Sequence, residues 1–202
     1  MRPRASPPQP ASQPAQDAGR DAEGKPLPGT TLGALPQGTP LSWHLDTFPD
    51  RAAAEAVKEQ LGTVAEAFDR TWLFTIAPLD WRPPATSEHV ATVGPLPLEP
   101  RAVAYTAMYL ATAFRPGLSR FVHERPRPEA WFILTGEQCL ETPDGPVRGR
   151  AGDGVVVRGG LPTTIQATGN EIQRNLTLVL HDAAKAATTR VDHWKPRGLC
   201  RD

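Results

Sequence analysis

The chain has 202 residues, 39% of them hydrophobic, which is room for one domain with its own core. Its formal net charge is +0, so no basic surface argues for nucleic acid or for an anionic membrane face. No run of about 18 apolar residues marks a membrane-spanning helix, and membrane insertion is not expected.

Residues 1 to 40 carry nine of the 23 prolines, with Ser, Gln, Gly and Ala between them. Such a segment has too little apolar surface to offset the entropy of ordering, and it reads as a disordered leader. No apolar stretch follows Met1-Arg2-Pro3-Arg4, so no export signal is recognised and the cytoplasm is the expected compartment. Export to a periplasm is the alternative if the true start lies upstream.

Residues 41 to 100 read as an α+β extension. Ser42 to Asp46 alternates as a short strand, and Asp50 caps a helix running from Arg51 to Leu61 with Gly62 as its stop. The helix is expected on the outside of the following barrel. Thr63 to Ala77 reads as a strand or strand pair, and Pro78 to Pro100 as mainly loop.

Residues 101 to 182 read as a run of short antiparallel strands. Val103 to Phe114 is the first. Phe121, His123 and Arg125 alternate along the second, and Glu129, Trp131 and Ile133 along the third, which ends at Gly136. Thr142-Pro143-Asp144-Gly145 is a turn, because Pro presets φ and Gly accepts φ > 0. Val155 to Val157 is a buried strand closed by Gly159-Gly160. Thr163 to Ala167 and Ile172 to His181 are the last two, with Leu176, Leu178 and Leu180 on one face and Thr177, Val179 and His181 on the other. Residues 183 to 202 form a polar tail with Trp194 as its large apolar anchor. Cys139, on a strand, reads as a free buried thiol. A bridge from it to Cys200 in the tail is expected only in an exported protein.

The spacing His123, Arg125, Glu129, Gly136 resembles the first motif of the cupins: His-x-His, three or four residues, Glu, six residues, Gly. Gly152, Arg158, Gly160 and Thr163 shadow the second motif, which places Pro and His where Arg158 and Thr163 stand. The resemblance spans about residues 115 to 181. It implies a single antiparallel β-barrel (a jelly roll) carrying the N-terminal strand-helix extension, and a homodimer formed through a sheet edge. A complete motif supplies three His and one Glu to a divalent transition metal, Fe, Mn, Zn, Ni or Cu. Here the metal candidates are His123 and Glu129, with His181 as a replacement for Thr163 if it faces inward. Arg125 cannot coordinate, since its guanidinium stays protonated. It suits Glu129, or a carboxylate or phosphate on a ligand.

The expected function is therefore that of a cupin-type protein binding a small molecule in the lumen, with an incomplete or weak metal site. Arg125, Trp131, Thr163 and Tyr105 are the candidate ligand contacts. Tyr105 and Tyr109 are expected to share the face of Trp131. A metal-dependent enzyme of oxygenase or isomerase type is the alternative.

Overall fold

The computed structural model describes residues 23–36, 38–98, 104–182 and 186–201. Its elements are β1 (Glu23–Gly33), β2 (Leu41–Phe48), α1 (Arg51–Val57), β3 (Gly62–Ala67), β4 (Arg70–Pro78), β5 (Glu88–Val93), β6 (Tyr105–Phe114), β7 (His123–Glu124), β8 (Glu129–Thr135), β9 (Glu137–Thr142), β10 (Gly145–Arg150), β11 (Gly154–Val157), β12 (Thr164–Thr168), β13 (Gln173–His181) and β14 (Thr189–Arg190).

The eight strands β6 to β13 pair in the order of a jelly roll. The first pairs with the eighth, the eighth with the third and the third with the sixth, giving β6-β13-β8-β11. The opposite sheet runs β10-β9-β12. It continues to the second strand, β7, through an antiparallel bridge between His123 and Thr163. Two facing sheets of alternating strands are the double Greek key of this architecture. The expectation of a barrel is met in this form: among the described residues no pairing joins the two sheets into a closed cylinder. The expected turn lies between β9 and β10, where Thr142 pairs with Gly145 and the glycine has φ 124°.

The extension is a four-stranded antiparallel sheet in the order β3-β4-β2-β5. Its inner face, with Trp43, Leu45, Trp72, Phe74 and Ile76, packs on Tyr109, Ala130, Phe132, Leu176, Leu178 and Leu180 of the first jelly-roll sheet. The Trp43 and Phe74 rings meet edge to face at 5.5 Å, and Phe74 lies 4.8 Å from Tyr109. Each such side chain contributes roughly 2–3 kcal/mol by leaving water. The central sheet is thus covered on both faces, because its other face lines the jelly-roll interior with Trp131, Val155 and Val157.

Several expectations are corrected. The disordered leader 1–40 does not hold for Glu23–Gly33: this segment is β1, pairs with β6 and buries Leu27 and Leu32. Residues 1–22 lie outside the described residues. Pairing with an otherwise open edge supplies the order that its composition alone does not. The helix stops at Val57, since Lys58 turns extended (ψ 126°) and Leu61 goes to the core. Gly62 opens β3 instead of ending the helix, and a Cβ there would meet Lys58 Cγ at 2.9 Å. The helix does not rest on the jelly roll; Ala54 packs with Phe48, Val64 and Leu73 on the outer face of the extension sheet. The expected loop from Pro78 to Pro100 contains β5, an edge strand without apolar alternation. The Asp50 carboxylate accepts from Ala53 N at 2.8 Å, as expected of a cap. Asp50→Ala should cost about 1 kcal/mol in urea unfolding.

The tail is also more firmly held than its polarity implies. Cys139 is not a free thiol but is bonded to Cys200, across a sequence separation of 61. The Glu141 carboxylate accepts the backbone N–H groups of Arg197, Gly198 and Leu199. Cys200, only 2% exposed, is a more buried anchor than Trp194.

Candidate functional site

His123 and Thr163 exchange backbone hydrogen bonds, His123 N to Thr163 O at 3.0 Å and Thr163 N to His123 O at 2.8 Å. The Thr163 hydroxyl is turned to the carbonyl of Leu161 at 3.2 Å. Glu129 begins β8, where its partners Val157 and Val179 place it toward the jelly-roll interior. Arg125 lies in the β7–β8 connection, its carbonyl accepting from Gly160 N at 2.7 Å. Its Nε forms an ion pair with Glu129 Oε2, and its Nη1 donates to Thr188 Oγ1 at 2.7 Å. His123 Nε2 is 4.0 Å from Glu129 Oε1 and, though buried, has no hydrogen-bond partner. His123, Arg125, Glu129, Trp131 and Thr163 are each at most 4% exposed.

The structure therefore brings His123, Arg125, Glu129 and Thr163 together, with Trp131 on the same side of the sheet among Leu140, Val155, Val157 and Ile165. Tyr105 and Tyr109 are placed differently. Across β13, Trp131 stands opposite Thr177 and hence level with Leu110, so Tyr109 and Tyr105 have the other parity. They lie in the core between the central sheet and the extension. The shared face expected for them and Trp131 is corrected on that ground. His181 has the inward parity of Val179, but stands at the strand end with Nδ1 3.1 Å from the Asp182 carbonyl oxygen.

Three groups near the site carry no motif signal. Arg120 acts electrostatically on His123 and on Glu129 from the irregular segment before β7. Thr188 comes from the tail. Further inside, Gln173 Nε2 and Asn175 Nδ2 both donate to Gln138 Oε1, at 2.8 and 2.7 Å, and Thr177 Oγ1 donates to Asn175 Oδ1 at 3.1 Å. Inward parity on β13 would have pointed to Asn175 and Thr177.

Burial dominates the ionisation of the site. It pushes the Glu129 carboxyl up to about 7, against the opposing pull of Arg125 and then Arg120. Burial, followed by the charge of Arg125, lowers His123 to about 4. His123 is thus neutral at pH 7. From pH 4.5 to 6.5 the folded chain keeps a proton on Glu129 that the unfolded chain releases, and lacks one on His123 that the unfolded chain takes up. The two slopes have opposite sign, so the site adds little pH dependence to stability in that window.

A divalent metal does not fit this donor set. His123 Nε2 and one Glu129 oxygen are the available donors, and three or four is the norm. The other Glu129 oxygen is held by a guanidinium, a fixed positive charge at the place of the second histidine. Among the described residues no three His, Cys, Asp or Glu side chains converge. At the mouth lies a cavity of about 230 Å³ lined by Glu124, Arg125, Pro126, Gly160, Ala186 and Thr189.

No protein-family model matches the chain, and no curated protein matches it. Among solved structures it is similar to a conserved protein with a double-stranded β-helix domain from Klebsiella pneumoniae, 17% identical over 49% of this chain and 78% of that one, with a TM-score of 0.37. A cupin superfamily protein from Desulfitobacterium hafniense is 21% identical over 38% of this chain and 68% of that one, TM-score 0.35. A cupin-like protein from Thermotoga maritima is 13% identical over 42% and 64%, TM-score 0.39. Among the described residues no helix is long and apolar enough to cross a membrane. The strand order of residues 104–182, with the first motif segment spanning β7 and β8 and the second running from the turn before β11 to the bridge at Thr163, gives this chain a jelly-roll fold of the cupin type.

Proposed function

We propose that this cupin-type chain is a metal-independent binding module for a small anion, a carboxylate or a phosphate, at Arg125. The observation that carries the reading is that Arg125 is buried between Glu129 and Thr188 while lining the cavity at the mouth. A guanidinium recognises planar carboxylates and phosphates through paired N–H donors. An entering anion replaces Glu129 as the partner of Arg125, with Thr163 and Trp131 bounding the site behind it. Glu129 then takes a proton, since burial already raises its pKa to about 7. Affinity falls as pH rises above 7, because each further unit raises the cost of protonating Glu129.

Calorimetric titration of the full chain with acetate, a short dicarboxylate and inorganic phosphate tests the proposal. Saturable binding of one of them at pH 6, lost in Arg125→Gln and weaker at pH 8, is the expected result. Equal behaviour of the variant and the parent chain, or no binding by either, overturns it. The enzymatic alternative with a metal at His123, Glu129 and His181 has no support in the donor set. The Cys139–Cys200 bond favours an oxidising compartment over the cytoplasm. A homodimer, if formed, needs an edge other than that of β6, which β1 occupies.

A further inference from the structure

On the outer face of the extension sheet, away from the lumen, four side chains form one continuous chain of contacts. His44 Nε2 faces the carbonyl oxygen of Pro78 at 3.0 Å, and His44 Nδ1 faces Thr92 Oγ1 at 3.1 Å. The same hydroxyl lies 3.1 Å from His89 Nε2, and His89 Nδ1 lies 2.9 Å from Asp46 Oδ1. Asp46 is fully buried and its second oxygen has no partner.

These four contacts need four hydrogens. A neutral His44, a neutral His89 and the Thr92 hydroxyl supply one each, and an ionised Asp46 supplies none. The carbonyl of Pro78 can only accept, so it fixes the hydrogen of His44 on Nε2 and leaves Nδ1 with a lone pair. An ionised Asp46 does the same to His89, fixing its hydrogen on Nδ1. Two lone pairs then converge on a hydroxyl that has a single hydrogen.

We propose that this cluster binds one additional proton, and that the proton closes the network as a pH-sensitive clasp holding β5 and the 79–87 connection onto β2. With the proton bound, every contact is a hydrogen bond. On its loss, one of the four becomes a lone pair facing a lone pair, and the segment loosens.

The titratable groups that face one another are His44 and Asp46 from β2 and His89 from β5. β4 places Thr75 beside His44 and Leu73 beside Asp46, and the connection lays Trp81 over His44 with ring centroids 4.9 Å apart. Asp80, Arg82 and Glu88 are exposed. Burial raises the Asp46 carboxyl and lowers His44, so the extra proton is held on the side of Asp46 and not of His44. The side chain of His89 is 39% exposed, so solvent reaches the cluster from that side.

Hydrogen exchange of the full chain tests the clasp, with amide protection factors of β5 read at pH 5.5 and pH 8.5. Protection in β5 should fall about five- to tenfold at the higher pH, the loss of about one hydrogen bond, while β13 is unchanged. Asp46→Asn supplies the fourth hydrogen from its amide without an added proton, and its β5 protection should be the same at both pH values. Thr92→Val, which removes the shared hydroxyl, should abolish the pH dependence as well, and serves if Asp46→Asn does not fold. Equal β5 protection at the two pH values in the parent chain overturns the proposal. So does a pH-dependent loss of the same size in either variant.

Discussion

Arg125→Ala should lower stability by about 3–5 kcal/mol, the cost of removing one partner from a buried ion pair. Arg125 and Glu129 are both about 4% exposed, so solvent does not replace the lost partner. The variant leaves Glu129 in an apolar interior beside Trp131, Val155 and Val157 without the stronger of the two charges that oppose its burial. Its carboxyl pKa therefore rises further, and the variant loses more stability at pH 8 than at pH 5. The double change Arg125→Met with Glu129→Gln removes both charges and keeps the volume, and it should recover most of the loss. Denaturant unfolding at the two pH values measures all three chains. A single variant as stable as the parent would mean that the pair is solvated, contrary to its burial.

The second large effect lies at the opposite sheet. Replacing Cys200 by Ser should cost about 4 kcal/mol, the loop-entropy value for a bridge closing 61 residues. For a chain of this size that corresponds to roughly 10 °C in Tm. The bridge holds the tail beside Glu141, which accepts three backbone N–H groups from it. The tail also carries Thr188 to Arg125 and β14 to β7, so loosening it reaches the lumen mouth. Thermal melts with and without reductant check the magnitude. Alkylation of the unreduced, denatured protein should label neither cysteine, and labelling of both would remove the bridge.

Much of the jelly roll is legible in the residues because its signals are local. Period-2 alternation in β8 and β13, and the Pro143-Asp144-Gly145 turn, act within a few positions and need no distant partner. The convergence of His123, Arg125 and Glu129 is legible for the same reason, since the short connection that carries Arg125 joins the strands of the other two. The hairpin between β3 and β4 is not. Its turn residues Phe68 and Asp69 both take positive φ, 53° and 59°, as a two-residue hairpin loop requires, yet they lack the Asn-Gly signature of that turn.

The amino-acid sequence by itself determined the strands of the jelly roll, the helix cap at Asp50 and the polar trio of the lumen. Tertiary structure decided the faces, the edges and the partners. Tyr105 and Trp131 each alternate correctly, but the central sheet is buried on both sides, so alternation cannot say which side is the lumen. Register across β13 decides that. β1 is a strand because β6 offers an open edge, not because its prolines favour extension into a sheet. Cys139 finds Cys200, and His44 finds His89, across dozens of residues, and no local preference encodes an encounter that only the packed chain makes.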